Sequence, residues 1–147
     1  MTIIVTGITG YLGKNLIKHI LKENSSKIIL TYRKKKLKIK KKNIMWKNID
    51  IKKNINFDFK TKKSPASLIY LAWDGLTIKD YQSDIHLNQV DYHFNFISKL
   101  VKNGLKNVVI AGSCFEYGNY NGEITENFKP KPITKYGQAK NILRNKL

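Results

Sequence analysis

The sequence predicts an α/β domain built on a parallel sheet of about five strands. Short β-branched runs recur along the chain, stretches with helical apolar spacing separate them, and a glycine-rich turn joins the first run to the first helix. At 147 residues there is room for one domain with a proper core and not for two ordinary ones.

Residues 2–6 read as the first strand. Leu12, Leu16 and Ile20, with Ile17 and Leu21, then fall at helical spacing through about Lys22, and Glu23-Asn24-Ser25-Ser26 closes the helix. Residues 27–32 give a second strand, and the lysine run 33–42, with Leu37 and Ile39, a short irregular or helical crossover. A third strand is expected over 44–50, then a polar loop reaching Ser64-Pro65, then a fourth strand over 67–72. The longest helical pattern covers 81–103, with Leu87, Val90, Phe94, Ile97 and Val101 three or four apart and Asn103-Gly104 as its stop. Residues 107–112 supply a fifth strand, 119–132 are turn-rich, and 133–147 begin another helix. This alternation specifies right-handed crossovers, and there are no internal repeats.

Composition narrows the function classes. No apolar run approaches a membrane span, and the N-terminus lacks the pattern of a secretion signal, so no membrane association is expected. The single cysteine, Cys114, cannot form an internal disulfide, and a reducing cytoplasm is the expected compartment. The net charge of +18 raises the question of nucleic acid. Only Arg33 and Arg144 are arginines, however, and no nucleic-acid fold signature accompanies the lysines, so nucleic acid is not expected as the main partner. His19, His86 and His93 show no ligand spacing with Cys or acid and read as solvated or packed, with no metal.

Three motifs carry chemistry. The first is Thr6-Gly7-Ile8-Thr9-Gly10-Tyr11-Leu12-Gly13, directly after Ile3-Ile4-Val5. A strand, a glycine turn and a helix start can hold a dinucleotide pyrophosphate, because backbone approaches phosphate closely only where side chains are absent. The helix then directs its unpaired N–H groups and positive dipole end at the anion. The spacing is Gly-x-x-Gly-x-x-Gly, which alone is weak evidence. The second motif is Tyr136-Gly137-Gln138-Ala139-Lys140. Tyr and Lys four apart share a helix face, and an ammonium near a phenol eases its ionisation towards acid/base work. The third is 111–118, Ala-Gly-Ser-Cys-Phe-Glu-Tyr-Gly, which places Ser113 at a strand's carboxyl end, where ligands gather in open α/β sheets. In isolation the Tyr/Lys pair reads as surface and the serine as a turn former. Their order, each at a strand end or helix start, joins them into one constellation.

With these motifs the chain resembles the extended short-chain dehydrogenase/reductase family of nucleotide-sugar epimerases, dehydratases and reductases, from Thr2 to the last residue. The resemblance implies a Rossmann-type doubly wound sheet, order 3-2-1-4-5, binding NAD(P). It implies Tyr136 as acid/base, Lys140 holding the nicotinamide ribose and lowering the tyrosine pKa, and Ser113 hydrogen-bonding the reacting oxygen. The cofactor contacts it implies are Gly7, Thr9, Gly10, Tyr11, Leu12, Gly13, Thr31, Arg33, Asp50, Leu71, Ala72 and Trp73, together with Tyr136 and Lys140. Asp50 resembles the family's adenine-contacting aspartate, Leu71-Ala72-Trp73 lies beside the cofactor, and Asn88 takes an architectural place in the central helix.

Subgroup features favour a reductase. Family dehydratases carry an acidic pair after the serine or threonine; here those positions are Cys114 and Phe115, which argues against dehydration. The stretch 112–118, with Gly122-Glu123 and Glu126 behind it, looks most like reductases of nucleotide-diphosphate-linked 4-keto-6-deoxyhexoses, abequose- and paratose-type synthases being the nearest comparison. Epimerases are the runner-up. At the second strand's end, where an acid would accept the ribose hydroxyls, the chain has Thr31-Tyr32-Arg33-Lys34, which favours NADP(H) over NAD(H). The N-terminus reads as complete. The sequence stops at Leu147, inside the Tyr-x-x-x-Lys helix, so the substrate lobe is expected to be absent and the fifth strand to become an exposed edge. An inactive truncated fragment is therefore an alternative to an enzyme completed by a second polypeptide, and a basic nucleic-acid binder a remote one. A homodimer through 81–103 and 136 onward is the oligomer the resemblance implies.

Overall fold

The computed structural model describes residues 1–22, 25–53 and 65–147. Strands β1 (Thr2–Thr6), β2 (Lys27–Tyr32), β3 (Ile44–Asn48), β4 (Ala66–Tyr70) and β5 (Leu105–Ile110) pair in parallel in the order β3-β2-β1-β4-β5. The Rossmann-type order is as expected. Residues β-branched or apolar on both faces, such as Ile4, Val5, Ile28 and Leu30, fill the central strands, because helices cover both sides of a parallel sheet.

The chain divides into two compact units: Met1–Ala72 with Lys99–Ala111, and Trp73–Ser98 with Gly112–Leu147. The first contains the sheet and helix α1 (Tyr11–Ile20). Its core joins Val5, Ile28 and Leu30 to Ile8, Ile17 and Ile20, each burial worth roughly 1.5–3 kcal/mol. Leu16 and Leu21 pack at its margin, whereas Leu12, expected on the apolar face, is 56% exposed. The reason is positional: Leu12 stands in the first turn, on the side open to solvent beside Thr9, Gly10 and Tyr11. The 33–42 crossover is irregular and not helical. Its ties are to tertiary partners: Lys41 Nζ donates to the Leu21 carbonyl, and Trp46 Nε1 donates to the Ile39 carbonyl at 3.3 Å. Among the described residues β5 pairs only with β4, and Val109 is 63% exposed, so β5 is an edge of the described sheet.

The second unit holds the short helix α2 (Ile85–Asn88), α3 (Val90–Lys102) as far as Ser98, α4 (Lys135–Lys146), and single 3₁₀ turns at Ile78–Asp80 and Cys114–Glu116. Val90, Ala139 and Leu143 are buried together, with Trp73, Leu87 and Phe94 packed on them. The single helix expected over 81–103 is thus two, and its first turn is missing. The Tyr81 carbonyl accepts instead from the Tyr136 N–H at 3.0 Å, and Gln82 Oε1 from the Lys135 N–H at 3.3 Å. Residues 81–82 therefore cap α4. The fourth and fifth strands each begin and end earlier than expected, the third ends at Asn48, and α4 starts at Lys135. The expected close of the first helix at Glu23-Asn24, and the polar loop over 54–64, lie outside the described residues. Among the described residues no helix is long and apolar enough to cross a membrane.

Candidate active site

In the first unit the glycine turn is built by close approach. Gly7 has φ +70°, and a Cβ there would stand 2.6–2.7 Å from the Leu71 and Ala72 backbone. A Cβ on Gly13 would run into the Ile8 backbone, so the turn and helix can lie this close only as glycines. The Gly10 N–H closes the turn on the Gly7 carbonyl at 3.0 Å, and Thr6 Oγ1 accepts from the Leu71 N–H at 3.3 Å. Ile8 anchors the turn in the core, while Thr9, Gly10, Tyr11 and Leu12 face outward. Gly10 is the N-cap of α1; it provides no side-chain cap, and no acid occupies the first turn. The cradle therefore fits an anionic pyrophosphate.

The other expected contacts of this unit differ among themselves. Thr31 is buried in β2, 5% exposed, so its hydroxyl is not on offer at the surface. Arg33 is exposed just beyond the strand. Asp50 shapes a turn after β3, its Oδ1 accepting from the Lys52 N–H at 3.2 Å. Leu71 and Ala72 are half-buried at the end of β4.

Within the second unit, Ser113, Tyr136 and Lys140 come together. Thr134 caps α4 by accepting the Gly137 N–H at 3.0 Å, which sets the helix so that Tyr136 and Lys140 share its buried face. A Cβ on Gly137 would strike the Phe115 carbonyl, so glycine there lets α4 meet the 3₁₀ turn that begins at Ser113. Ser113 accepts from the Phe115 N–H at 3.3 Å and also hydrogen-bonds the Tyr136 side chain. The turn-forming reading of this serine holds.

Tyr136 lies in an aromatic nest. Its ring stacks on Tyr81 at 5.4 Å and meets His86, Phe115 and Trp73 at 5.1, 5.7 and 6.1 Å. Burial pushes its phenol above the ordinary value; the Ser113 hydrogen bond opposes this. The depression of Tyr136 by Lys140 that the resemblance implies is therefore not the prevailing effect in this structure. Lys140 Nζ stands 4.3 Å from the centre of the Trp73 ring, and burial lowers its pKa from an ordinary 10.5 to about 8, with Glu116 opposing.

Gln89, behind the nest, has no signal in the sequence. Gln89, fully buried, receives the Asp74 N–H on Oε1 at 3.2 Å and gives its amide to the Asp74 carbonyl at 3.3 Å. The same Oε1 meets His93 Nε2 at 3.1 Å and the Tyr92 hydroxyl at 3.3 Å. His86 Nδ1 accepts from Trp73 Nε1 at 3.0 Å and faces the Gln89 amide at 3.2 Å, so the ring is neutral; burial lowers its pKa despite Asp80. His93 stacks on Trp73 at 4.6 Å, so both are packed, while His19 is exposed. The architectural asparagine position, Asn88, is exposed, and its neighbour Gln89 is the buried organiser. A buried amide has no spacing signature, so only the apolar rhythm around it was readable.

One family model spans both the glycine turn and the positions of Ser113, Tyr136 and Lys140. The model, described as the NAD dependent epimerase/dehydratase family, covers residues 3–145. The chain belongs to this family. Among curated proteins it is 28% identical over 151 residues to a dTDP-6-deoxy-L-talose 4-dehydrogenase (NAD(+)) of Aggregatibacter actinomycetemcomitans, covering 98% of this chain and 53% of that protein. Among solved structures it is similar to MoeE5 in complex with UDP-glucuronic acid and NAD, with TM-score 0.78, 20% identity, and 99% and 48% of the two chains covered. A UDP-Glc/GlcNAc 4-epimerase from Campylobacter jejuni gives TM-score 0.77 at 17% identity, with 98% and 47% covered. The chain spans about half the length of these family members.

Proposed function

We propose that this chain is the nicotinamide-dinucleotide half of an oxidoreductase acting on a nucleotide-diphosphate sugar, and that it serves reduction of a 4-keto-6-deoxyhexose. The observation that carries the reading is that Ser113, buried Tyr136 and buried Lys140 belong to one compact unit, with Lys140 one turn beyond Tyr136 on the same face of α4. The curated relative's name, a 4-dehydrogenase of a dTDP-6-deoxyhexose, supports the same carbon and substrate class in the reverse sense.

A bound nicotinamide would supply or accept the hydride. Ser113, already paired with Tyr136, would donate a hydrogen bond to the sugar's carbonyl oxygen, and Tyr136 would deliver the proton to that oxygen. A raised phenol pKa suits the donor role, because the group stays protonated until charge builds on the oxygen. Lys140 would hold the ribose and offset the phenolate left behind. The outward face of Thr9–Leu12 and the uncapped α1 would hold the pyrophosphate. Leu71, Ala72 and Trp73 would stand beside the cofactor, and Asp50 would meet the adenine. The lack of an acid at the end of β2, with exposed Arg33, supports NADP(H); the NAD in the relative's name supports the alternative.

An epimerase is the second reading, supported by the family's breadth and the neighbouring folds. Reduction consumes one NAD(P)H per sugar, whereas epimerisation leaves the cofactor unchanged. Fluorescence titration with NADPH and NADH tests binding and preference, and Gly10→Asp should abolish it. Stoichiometric loss of NAD(P)H with a dTDP-4-keto-6-deoxyhexose separates the two chemistries. No binding by the native chain refutes both and leaves the inactive fragment. Pairing of two copies through α3 and α4 belongs to the same proposal and is tested by light scattering.

A further inference from the structure

His86 is a fully buried imidazole that the acid/base roles above leave unassigned. It stands on α2, in the same compact unit as Trp73, Gln89, Tyr136 and Lys140. Its ring meets the Tyr136 ring at 5.1 Å. The chain after Trp73 turns close over it at Gly75, where φ is +74° and a Cβ would stand 3.2 Å from His86 Cε1.

Two donors converge on one of its nitrogens. The indole N–H of Trp73 can only donate, and it reaches His86 Nδ1 at 3.0 Å. The Gln89 amide nitrogen lies 3.2 Å from the same atom. That amide is oriented from behind, because its Oε1 takes the Asp74 N–H and its Nε2 gives to the Asp74 carbonyl. An NH₂ group, and not an oxygen, therefore faces the ring. Nδ1 is a bare acceptor, and the proton is left on Nε2, which has no hydrogen-bond partner among the described residues. An imidazolium needs two acceptors and would find none here. Burial also opposes a charge on the ring, against the pull of Asp80.

The same indole carries Lys140. Its ring centre lies 4.3 Å from Lys140 Nζ and 6.1 Å from the Tyr136 ring centre, and His93 stacks on it at 4.6 Å. Face contacts leave a ring free to turn in its own plane, whereas a directional bond at Nε1 pins it. We propose that His86 is a positioning residue of this site: as the neutral Nε2–H tautomer it holds the Trp73 indole by its N–H and so fixes the ring that carries the Lys140 ammonium. Its bearing on catalysis rests on the proposed places of Trp73 and Lys140 beside the cofactor. The titratable and charged groups around His86 are Asp80 on the 3₁₀ turn before α2, Tyr136 on α4, and the Asp84–Lys135 pair at the starts of α2 and α4. Lys140, His93 and Tyr92 lie beyond Trp73 and Gln89.

Two measurements on the full chain, without cofactor or turnover, test it. The first needs no variant of His86. The chain has two tryptophans, told apart with Trp46→Phe. In the ¹⁵N-labelled native chain at pH 7, a scalar coupling across the hydrogen bond should link Trp73 Nε1 to an unprotonated Nδ1 of a histidine whose proton is on Nε2. Absence of that coupling, or a proton on Nδ1, overturns the proposal.

The second measurement reads Lys140. Its ε-methylene, bonded to the Nζ above the indole, should be displaced upfield by the ring current, and Lys140→Met identifies the signal by its loss. His86→Leu fills the space without an acceptor and should abolish the displacement. His86→Asn returns an oxygen near the place of Nδ1 and should restore it. An unmoved signal in His86→Leu overturns the proposal, and so does loss in both variants, which would make His86 packing alone. A chain that shows both signatures yet binds neither NADPH nor NADH refutes the proposed function and leaves the His86 assignment standing. One that binds dinucleotide without them keeps the function and loses the assignment.

Discussion

The glycine turn of the first unit and the tyrosine cluster of the second are made of opposite materials. The turn from Gly7 to Gly13 works by removing side chains, so that backbone reaches backbone and a helix end stays uncapped. The cluster around Tyr136 works by burying side chains, with rings, an amide, a carboxylate and an ammonium satisfying one another. The first kind of site tolerates almost no added atom. The second tolerates added atoms better than a lost partner, because each polar group there depends on another for its hydrogen bond.

The largest effect is expected at Gly7. Alanine there meets both a positive φ and backbone atoms of Leu71 and Ala72, with no flexible side chain to yield. Gly7→Ala should cost about 3 kcal/mol or more in urea unfolding. Gly10→Ala, whose Cβ meets only the Gly7 carbonyl at 3.3 Å, should cost far less. Equal costs would show that the cradle is not built by close approach.

Next in size is the pH dependence that Lys140 brings to the other half. Its pKa falls from 10.5 unfolded to about 8 folded, so between those values the unfolded chain holds more protons. Stability contributed by this group therefore rises as pH climbs from about 8 to 10.5, by about 3 kcal/mol, and is level below 8. The native chain minus Lys140→Met, compared by urea unfolding across this window, should show that rise. Tyr136 acts oppositely: its raised pKa adds stability that is lost as pH passes above the ordinary tyrosine value. A native chain with the same slope as Lys140→Met would mean that the ammonium is solvated.

Gln89 tests the buried-partner half directly. Gln89→Leu keeps the volume but removes the hydrogen bonds that Gln89 makes with the Asp74 N–H, the Asp74 carbonyl and His93 Nε2. A loss of about 2 kcal/mol is expected by denaturant unfolding. Gln89→Glu should restore the acceptor for Asp74 and His93 but not the donor for the Asp74 carbonyl, and so fall between the two.

Much of the glycine turn was legible in the sequence alone. Glycines at fixed spacing after Ile3-Ile4-Val5 encode a local event, and β1 and β2 match residue for residue. Tyr136 and Lys140 were legible too, since four residues on a helix fix a shared face. The break in 81–103 was not, because it depends on Tyr81 and Gln82 meeting the N–H groups of Lys135 and Tyr136, more than fifty positions away. Leu12 misled for a related reason. Periodicity assigns a face but not which turns of that face are covered, and the first turn of α1 is left open. Burial of Thr31 was likewise invisible, since a threonine at a strand end reads equally as surface or core.

The smallest effect falls at Thr134, where local and non-local determinants meet. Its hydroxyl accepts the Gly137 N–H at 3.0 Å, while the Tyr136 N–H goes to the Tyr81 carbonyl at 3.0 Å. Two first-turn donors of α4 thus have partners of different origin, one encoded three residues away and one by tertiary packing. Thr134→Ala removes only the local one and should cost about 1 kcal/mol. Because Tyr81 still holds the Tyr136 backbone and stacks on its ring at 5.4 Å, the tyrosine should stay in place. The ¹⁹F resonance of 5-fluorotryptophan at Trp73, whose ring meets Tyr136 at 6.1 Å, should then be unmoved in Thr134→Ala. A shifted resonance would mean that the cap, and not the aromatic nest, sets the register of α4, and the cluster around Tyr136 would prove as locally encoded as the glycine turn.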